Sequence, residues 1–247
     1  MKRLFWDIET SPNVVLAWRA GYKLSISPES IISERKIITI AWKWEGEKRV
    51  NALHWDAKQD DKSMLKEFIP VLDSADESVA HFGDSFDLPW IKGRCLFHRI
   101  PTLPKYVTID TKQWSSRYFY LNSNKLDYLA KFLGFEGKIK TDYDLWKKIV
   151  LDKSESALRS MIKYNREDVV QLEKVYNRLA EAVPHRTHAG VLAGGEKWSC
   201  AKCASTNVTK SKTWITAKGT PFHQMHCGKC YGYYSISESV YKKYQNR

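Results

Sequence analysis

Short runs of apolar residues alternate with amphipathic stretches along the first part of the chain. The spacing of apolar positions predicts two amphipathic helices, one at Asp61–Leu72 and one from Asp87 to His98. A polar turn at Glu45–Lys48 predicts that the strands on either side of it form a hairpin. The predicted strands are Leu4–Glu9, Ile37–Trp44, Arg49–Trp55, Ser78–Phe82 and Val107–Asp110. A hairpin followed by alternating helices and strands predicts an α/β fold, in which a mixed β-sheet is flanked by helices.

The second part of the chain carries an almost continuous helical pattern from Thr111 to Val183. Breaks in this pattern are predicted at residues 121–124, 134–141 and 152–153. The longest helix should begin after an N-cap at Ser154 and continue to Val183, where Pro184 ends it. Residues 14–35, by contrast, predict a long loop with one short helix near residues 29–33.

The composition predicts a packed core and no membrane span. Hydrophobic residues make up 43% of the 247 residues, but no run of about 18 apolar residues is present. The N-terminal segment lacks the long apolar stretch of a signal peptide. We therefore expect a cytoplasmic protein, located in the host cytoplasm if a phage encodes it.

Positive charge is concentrated towards the C-terminal end of the chain. The whole chain has a net charge of +12, and the segment from His185 onward contributes ten Lys and Arg against two acids. This excess predicts binding to a polyanion. A basic surface that only keeps the protein in solution is the alternative.

The cysteines form a pattern typical of a metal site rather than of disulfides. Two CxxC pairs, separated by the segment 204–226, are present: Cys200, Cys203, Cys227 and Cys230. Between the pairs, Val208–Ala217 and Pro221–His226 flank Lys218-Gly219, which predicts a hairpin. Two such pairs joined by a hairpin resemble a zinc ribbon, because four thiolates suit a tetrahedral structural Zn²⁺. His223 and His226 as competing ligands, or a redox role for the cysteines, are the alternatives.

The predicted ribbon, residues 197–247, follows a linker predicted at residues 185–196. Basic and aromatic side chains are interleaved in it, and such a surface suits a nucleic-acid strand because cations attract phosphates and rings stack on bases. The predicted nucleic-acid-binding residues are Lys202, Lys210, Lys212, Trp214, Lys218 and Lys229. A ribbon that docks onto another protein is the alternative.

Acidic residues mark three places ahead of the predicted linker. Asp7 and Glu9 are two residues apart at the end of the first strand, so they point to the same face. Two carboxylates there are costly unless a cation lies between them. Asp87 lies where a strand passes into a helix, and Tyr164 and Asp168 are four residues apart on the longest helix. The second and third places also have an ordinary structural explanation, namely a helix cap for Asp87 and a surface pair for Tyr164 and Asp168.

Taken in order, these residues resemble the motifs of the DEDDy branch of DnaQ-like 3′–5′ exonucleases, which belong to the ribonuclease-H-like superfamily. The three matching segments are Phe5-Trp6-Asp7-Ile8-Glu9-Thr10, Phe86-Asp87-Leu88-Pro89-Trp90-Ile91 and Tyr164 with Asp168. The sister branch has a histidine where this chain has Lys163, so it fits less well. The resemblance covers about residues 1–183 and is closest to the exonuclease domains of family B polymerases. In one departure, Phe82 stands where the second motif usually has an asparagine.

The resemblance implies a reaction and a set of ligands. Two Mg²⁺ or Mn²⁺ ions would be bound by Asp7, Glu9, Asp87 and Asp168, while Tyr164 would orient the attacking water or the scissile phosphate. Residues 1–184 would form a 3′–5′ exonuclease domain that releases 5′-mononucleotides from single-stranded DNA or DNA 3′ ends. A replication or repair protein would be a further partner. An exoribonuclease, or a nuclease-like domain that only binds nucleic acid, are the alternatives.

Overall fold

The computed structural model describes residues 1–19, 21, 24–137 and 142–247. The strands are β1 (Arg3–Thr10), β2 (Val14–Val15), β3 (Ile31–Ser33), β4 (Ile37–Trp44), β5 (Asn51–His54), β6 (Glu77–Ala80), β7 (Thr108–Asp110), β8 (Val208–Ile215), β9 (Pro221–Cys227) and β10 (Tyr233–Ser237). The helices are α1 (Lys62–Asp73), α2 (Asp87–His98), α3 (Thr111–Tyr118), α4 (Leu126–Phe132), α5 (Tyr143–Val150), α6 (Glu155–Leu179), α7 (Ala189–Leu192) and α8 (Glu238–Gln245). None of the helices in these described ranges combines the length and hydropathy that a membrane span requires.

The chain divides into two compact units. The large unit comprises Lys2–Lys112 and Lys125–Glu173, and the small unit comprises Gln113–Asn124 and Lys174–Arg247, together with Met1. The domain boundaries expected from the sequence, after residues 184 and 196, stay a prediction.

The large unit is built on a five-stranded mixed sheet with the strand order β5-β4-β1-β6-β7. Strand β1 is central, antiparallel to β4 and parallel to β6. Its alternating residues Leu4, Trp6 and Ile8 are buried against helices α1 and α2. A second buried cluster around Ile38 and Met161 contains residues of α5 and α6. These features confirm the predicted mixed α/β fold.

The small unit contains a three-stranded antiparallel sheet with the order β10-β9-β8. One buried cluster of this unit includes Trp198, Val208, Met225 and Ile236. The predicted hairpin is present as β8 and β9, and Gly219 in its turn has a φ of +79°. A left-handed residue in this turn explains the glycine. Strand β10 and helix α8 were not predicted.

The longest helix begins where the sequence predicts but ends earlier. Ser154 Oγ accepts a hydrogen bond from the Ala157 amide at 3.3 Å, as expected of an N-cap. The helix ends at Leu179 rather than Val183. Because a proline disfavours helical backbone in the residue before it, the chain tightens into a turn in which the Ala182 amide donates to the Leu179 carbonyl. Among the predicted breaks, residues 138–141 lie outside the described residues.

Three other local predictions need correction. The short helix expected near residues 29–33 is a 3₁₀ turn at Pro28–Ser30 followed by strand β3, whose β-branched residues favour extended backbone. The strand expected to reach Phe82 ends at Ala80 because Gly83 allows a tight turn; a Cβ on Gly83 would lie 2.4 Å from the Ala80 Cβ. Residues 189–192 of the predicted linker form the short helix α7.

Candidate functional site

Three carboxylates converge in the large unit. Asp7 and Glu9 of β1 and Asp168 of α6 each offer an oxygen atom, and these oxygens all lie within 4.8 Å of one another. Asp168 is only 3% exposed. Carboxylate oxygens are the ligands that hard divalent cations such as Mg²⁺ and Mn²⁺ prefer, and a cation between them would offset their mutual repulsion. The donor set therefore fits the predicted ions.

The alternation of side chains along β1 explains this arrangement. Leu4, Trp6 and Ile8 occupy one face of the strand and pack on α1 and α2. Asp7 and Glu9 consequently point to the opposite face. Asp168 reaches that face from α6, the helix whose Met161 belongs to the second buried cluster.

Tyr164 lies one helical turn before Asp168 and faces the three carboxylates of Asp7, Glu9 and Asp168. Burial raises the pKa of its hydroxyl, and the nearby carboxylates of Asp168, Glu9 and Asp7 raise it further. The Tyr164 hydroxyl is therefore protonated at neutral pH and can donate a hydrogen bond. This is the state that its predicted role requires.

Asp87 is the first residue of α2 and is 2% exposed. Its Oδ1 accepts a hydrogen bond from the Ile8 amide at 3.2 Å. Because Ile8 lies between Asp7 and Glu9 in β1, this bond fixes Asp87 beside those two acids. It is not one of the three carboxylates within 4.8 Å. It is also not the helix N-cap, since that position belongs to Phe86.

Asn165 is a functional candidate that the sequence did not reveal. It is fully buried, and its Nδ2 donates a hydrogen bond to Asp7 Oδ2 at 2.7 Å. A bond of this kind orients a ligating carboxylate. The signal was present in the pattern, because Asn165 lies four residues from both Met161 and Val169 on the apolar stripe of α6 and both are fully buried.

The four cysteines of the CxxC pairs come together in the small unit. Their sulfur atoms all lie within 4.8 Å of one another. The Cys200–Cys230 and Cys203–Cys227 sulfur distances are 3.5 and 3.7 Å. Tetrahedral Zn²⁺ with Zn–S bonds of about 2.3 Å requires sulfurs about 3.8 Å apart, so the set fits zinc.

The two CxxC pairs adopt the same turn. The Ala204 amide donates to the Cys200 carbonyl and the Tyr231 amide to the Cys227 carbonyl, each at 3.0 Å. Both Ala204 and Tyr231 have a positive φ, near +60°. We call each of these turns a knuckle. The two knuckles direct all four sulfur atoms towards one point.

The thiols in this cluster share protons unequally. A hydrogen bond from Cys200 lowers the pKa of Cys230 to about 5, and the same bond raises the pKa of Cys200. Thiolate is the form that binds metal. The fifth cysteine, Cys95, is buried in α2, and burial raises its pKa to about 11. Cys95 therefore behaves as a core residue.

The six predicted nucleic-acid-binding residues do not form one surface. Paired residues of antiparallel strands share a face, and Trp214 pairs with Phe222 while Lys212 pairs with Gln224. A bulge lies between Lys210 and Lys212, so Lys210 pairs with the buried Met225 and lies on the opposite face of the sheet. Lys218 lies in the hairpin turn, and Lys202 and Lys229 lie in the two cysteine knuckles.

A third cluster, Asp60, Asp61 and His98, already contains its cation. Asp61 is fully buried, and its oxygens accept hydrogen bonds from Arg94 at 2.7 and 2.9 Å. Burial alone would raise the pKa of Asp61, but hydrogen bonds from Arg94, the Ile37 amide and His98 outweigh it and lower the pKa. This cluster is a structural ion pair of the large unit.

Comparisons with known proteins agree with the fold. The family model RNase_H_2, of the RNase_H superfamily, matches residues 32–180, which is more than half of the chain. The matched range contains Asp87, Tyr164 and Asp168, whereas Asp7 and Glu9 precede it. No curated protein sequence matches the chain.

Similarity in fold extends to a family B DNA polymerase from the hyperthermophilic archaeon Pyrobaculum calidifontis. The two align with a TM-score of 0.56 and 15% sequence identity, over 72% of this chain and 24% of the polymerase chain. The chain thus spans about a quarter of that polymerase's length. By the match of the family model, and in keeping with its mixed sheet, the chain belongs to the RNase H superfamily.

Proposed function

We propose that this protein is a metal-dependent 3′–5′ exonuclease that hydrolyses single-stranded DNA from its 3′ end. The convergence of Asp7, Glu9 and Asp168 within 4.8 Å, from a central strand and a distant helix, is the observation that carries the proposal. The polarity and the DNA preference follow from the resemblance of the motifs to DEDDy exonucleases.

In this proposal each residue has a separate task. Asp7, Glu9, Asp87 and Asp168 would hold two Mg²⁺ or Mn²⁺ ions, and these would supply positive charge for the attacking and leaving oxygens. Tyr164, kept protonated by burial and by its acidic neighbours, donates a hydrogen bond that orients the water or the scissile phosphate. Asn165 holds Asp7 in its orientation. Water adds to phosphorus and gives up a proton, the bond to the 3′ oxygen breaks, and that oxygen takes up a proton to become the 3′ hydroxyl of the shortened strand.

The small unit has a supporting role in the proposal. Cys200, Cys203, Cys227 and Cys230 bind a structural Zn²⁺, and residues 197–247 form a ribbon domain that follows the exonuclease domain at residues 1–184. The face of the ribbon that carries Lys212 and Trp214 contacts the nucleic-acid strand.

The decisive experiment compares degradation of 5′-labelled DNA and RNA oligonucleotides of the same sequence with Mg²⁺ or Mn²⁺. We expect a ladder that shortens from the 3′ end of DNA. Asp7→Ala should reduce the rate by more than about 100-fold, because changes even to the outer shell of a metal site cost about 10–100-fold. Asp144→Ala, an exposed acid on α5, is the matched control and should be unaffected.

Three results would contradict the proposal. Degradation by Asp7→Ala at the wild-type rate would show that the carboxylate cluster is not the active site. Faster degradation of RNA than of DNA would favour the exoribonuclease, and binding without degradation of either would favour a binding module.

A further inference from the structure

Phe82 has a backbone conformation that bulky residues rarely adopt. Its φ is +71°, in the left-handed region, which is unfavourable for residues other than glycine and asparagine. The side chain is nevertheless 39% exposed to solvent. The strain therefore does not serve to bury this ring in the core.

Two neighbours enforce the conformation of this loop. Asp110, which is buried, accepts a hydrogen bond from the Phe82 amide at 3.0 Å with its Oδ1. The close approach of Gly83 to Ala80 leaves no room for a side chain at position 83. A strained conformation persists only where its surroundings determine it, and such places concentrate at functional sites.

The same carboxylate also binds the backbone of Lys112, whose ammonium group lies on the Phe82 ring. Asp110 Oδ1 accepts the Lys112 amide at 2.9 Å. The Lys112 ammonium lies 3.6 Å from the centroid of the Phe82 ring, within the range of a cation–π interaction. Asp110 thus organises a pair made of an exposed aromatic ring and a positive charge.

The position of the pair connects it to the carboxylate cluster. In the parallel ladder of β1 and β6, Phe5 pairs with Val79, so the ends of the two strands lie side by side. Residues 81–86, which follow β6, therefore lie beside the end of β1 that carries Asp7 and Glu9. The loop leads directly into Asp87.

We propose that Phe82 and Lys112 form a stacking site for one base of the single-stranded substrate beside the cleavage site. An aromatic ring stacks on any of the bases, and an ammonium group attracts the adjoining phosphate. An asparagine at this position would offer hydrogen bonds instead. The stacking site therefore makes recognition here tolerant of base identity. The inference rests on the proposed nuclease function, because it assigns a substrate contact to that site.

Binding of fluorescent single-stranded DNA and RNA oligonucleotides to the full chain tests this. Ca²⁺ replaces Mg²⁺, and gels verify that the oligonucleotide stays intact during the measurement. Phe82→Asn removes the ring but suits a left-handed backbone, so the variant should fold. With whichever oligonucleotide the wild type binds more tightly, we expect this variant to raise Kd about tenfold, and Phe82→Trp to keep a near wild-type Kd.

Phe97→Ala is a matched control at the other end of α2. Phe97 is 70% exposed, and the Arg94 guanidinium lies 4.6 Å from its ring centroid. It is thus another exposed aromatic residue with a cation on it, but it lies far along the helix from Asp87. Its replacement should leave Kd unchanged.

Abasic sites placed one at a time from the 3′ end provide the sharper test. At the stacked position, the abasic site should weaken wild-type binding about tenfold and should not weaken Phe82→Asn further. Lys112→Ala gives an independent measurement, since it should reduce the magnitude of the negative slope of log K against log salt by about 0.7.

Equal affinities of wild type and Phe82→Asn, or equal abasic effects in both at every position, would overturn the stacking site. This failure is distinguishable from failure of the proposed function. If the wild-type protein degrades nucleic acid but Phe82→Asn has the same Kd as the wild type, the proposed function stands and the stacking site is disproved.

Discussion

The carboxylate cluster and the cysteine cluster bring ligands together in opposite ways. Asp7 and Asp168 lie near opposite ends of the large unit's sequence and meet because α6 packs, through Met161, with Ile38 of the sheet in which β1 is the central strand. The four cysteines all fall between positions 200 and 230, on two copies of one local turn. The carboxylate cluster depends on the fold, whereas the proposed zinc would make the cysteine cluster one of the features that stabilise its unit.

The supports around each cluster show the same difference. In the large unit, Asp7 and Asp87 are held by the Asn165 side chain and the Ile8 amide, neither of which needs an ion. In the small unit, the buried cluster that contains Cys200 and Cys227 has only six residues, among them Trp198 and Met225. A core of this size rarely suffices without a metal or disulfides. Removing ions should therefore cost activity in one unit and structure in the other.

The largest effect should come from loss of the proposed zinc. Apparent binding energies of structural zinc are about 10–16 kcal/mol, and in small metal domains this energy is folding energy. Cys227→Ser should therefore abolish stoichiometric zinc and the hydrogen-exchange protection of residues 208–245, while protection of β1 and β4 persists. Elemental analysis and hydrogen exchange by mass spectrometry measure both. Cys95→Ala, outside the cluster, should keep the zinc, and full protection of the zinc-free Cys227→Ser protein would remove the contrast between the units.

The large unit should instead depend on its internal ion pair. Asp61→Ala leaves the mostly buried Arg94 without its carboxylate and should lower the free energy of unfolding by about 3–5 kcal/mol. Urea denaturation measures it. Asp127→Ala removes the exposed ion pair with Lys131 and should change stability by less than about 1 kcal/mol. An Asp61→Ala effect no larger than that of Asp127→Ala would show that the network is dispensable.

The pH dependence of this ion pair has a definite sign. The pKa of Asp61 is lowered in the folded protein from an ordinary value of 3.8. Its contribution is therefore fully present above pH 3.8 and is lost as the pH falls through the lower, folded value. Asp61→Ala should remove this part of the acid-induced loss of stability.

The sequence predicted the elements that carry long periodic patterns. The strands β1 and β4 and the helices α1, α2 and α6 have enough alternating or helical positions to be recognised, and they supply the core and the three converging acids. The short elements were missed because they contain too few residues to show a periodic pattern. Helix α7 has only four residues, too few to show a period, and its N-cap is the ring nitrogen of His188, which accepts the Val191 amide.

Features that depend on a neighbour distant in sequence could not be predicted. The bulge in β8 that places Lys210 and Lys212 on different faces shifts the register by one residue, and a shift of one residue exchanges the two faces of a strand. Likewise, the apolar stripe of α6 indicates that Asn165 is buried, but not that Asp7, 158 residues away, accepts its hydrogen bond.

Asn165 tests whether the carboxylate cluster is preorganised by the fold. Asn165→Ala removes the hydrogen bond to Asp7 and should raise the Mn²⁺ concentration for half-maximal cleavage by about 10–100-fold. Ser160→Ala, on the exposed face of the same helix, should leave the Mn²⁺ titration unchanged. A titration of Asn165→Ala that matches the wild type would mean that the ions alone orient Asp7, as the proposed zinc does for its cysteines.

The smallest expected effect concerns the two faces of the ribbon. Lys212 lies on the face where Trp214 stacks on Phe222, with ring centroids 5.9 Å apart. Lys210 lies on the other face, with its ammonium 5.2 Å from the centroid of the Tyr241 ring.

If the Trp214 face contacts a single strand of nucleic acid, Lys212→Ala should reduce the magnitude of the negative slope of log K against log salt by about 0.7, whereas Lys210→Ala should not change it. Oligonucleotide binding at several salt concentrations measures both slopes. Because the two lysines are two residues apart on one strand and carry equal charge, equal slopes would indicate attraction by the overall charge of the ribbon, and the stacked face would lose its assignment.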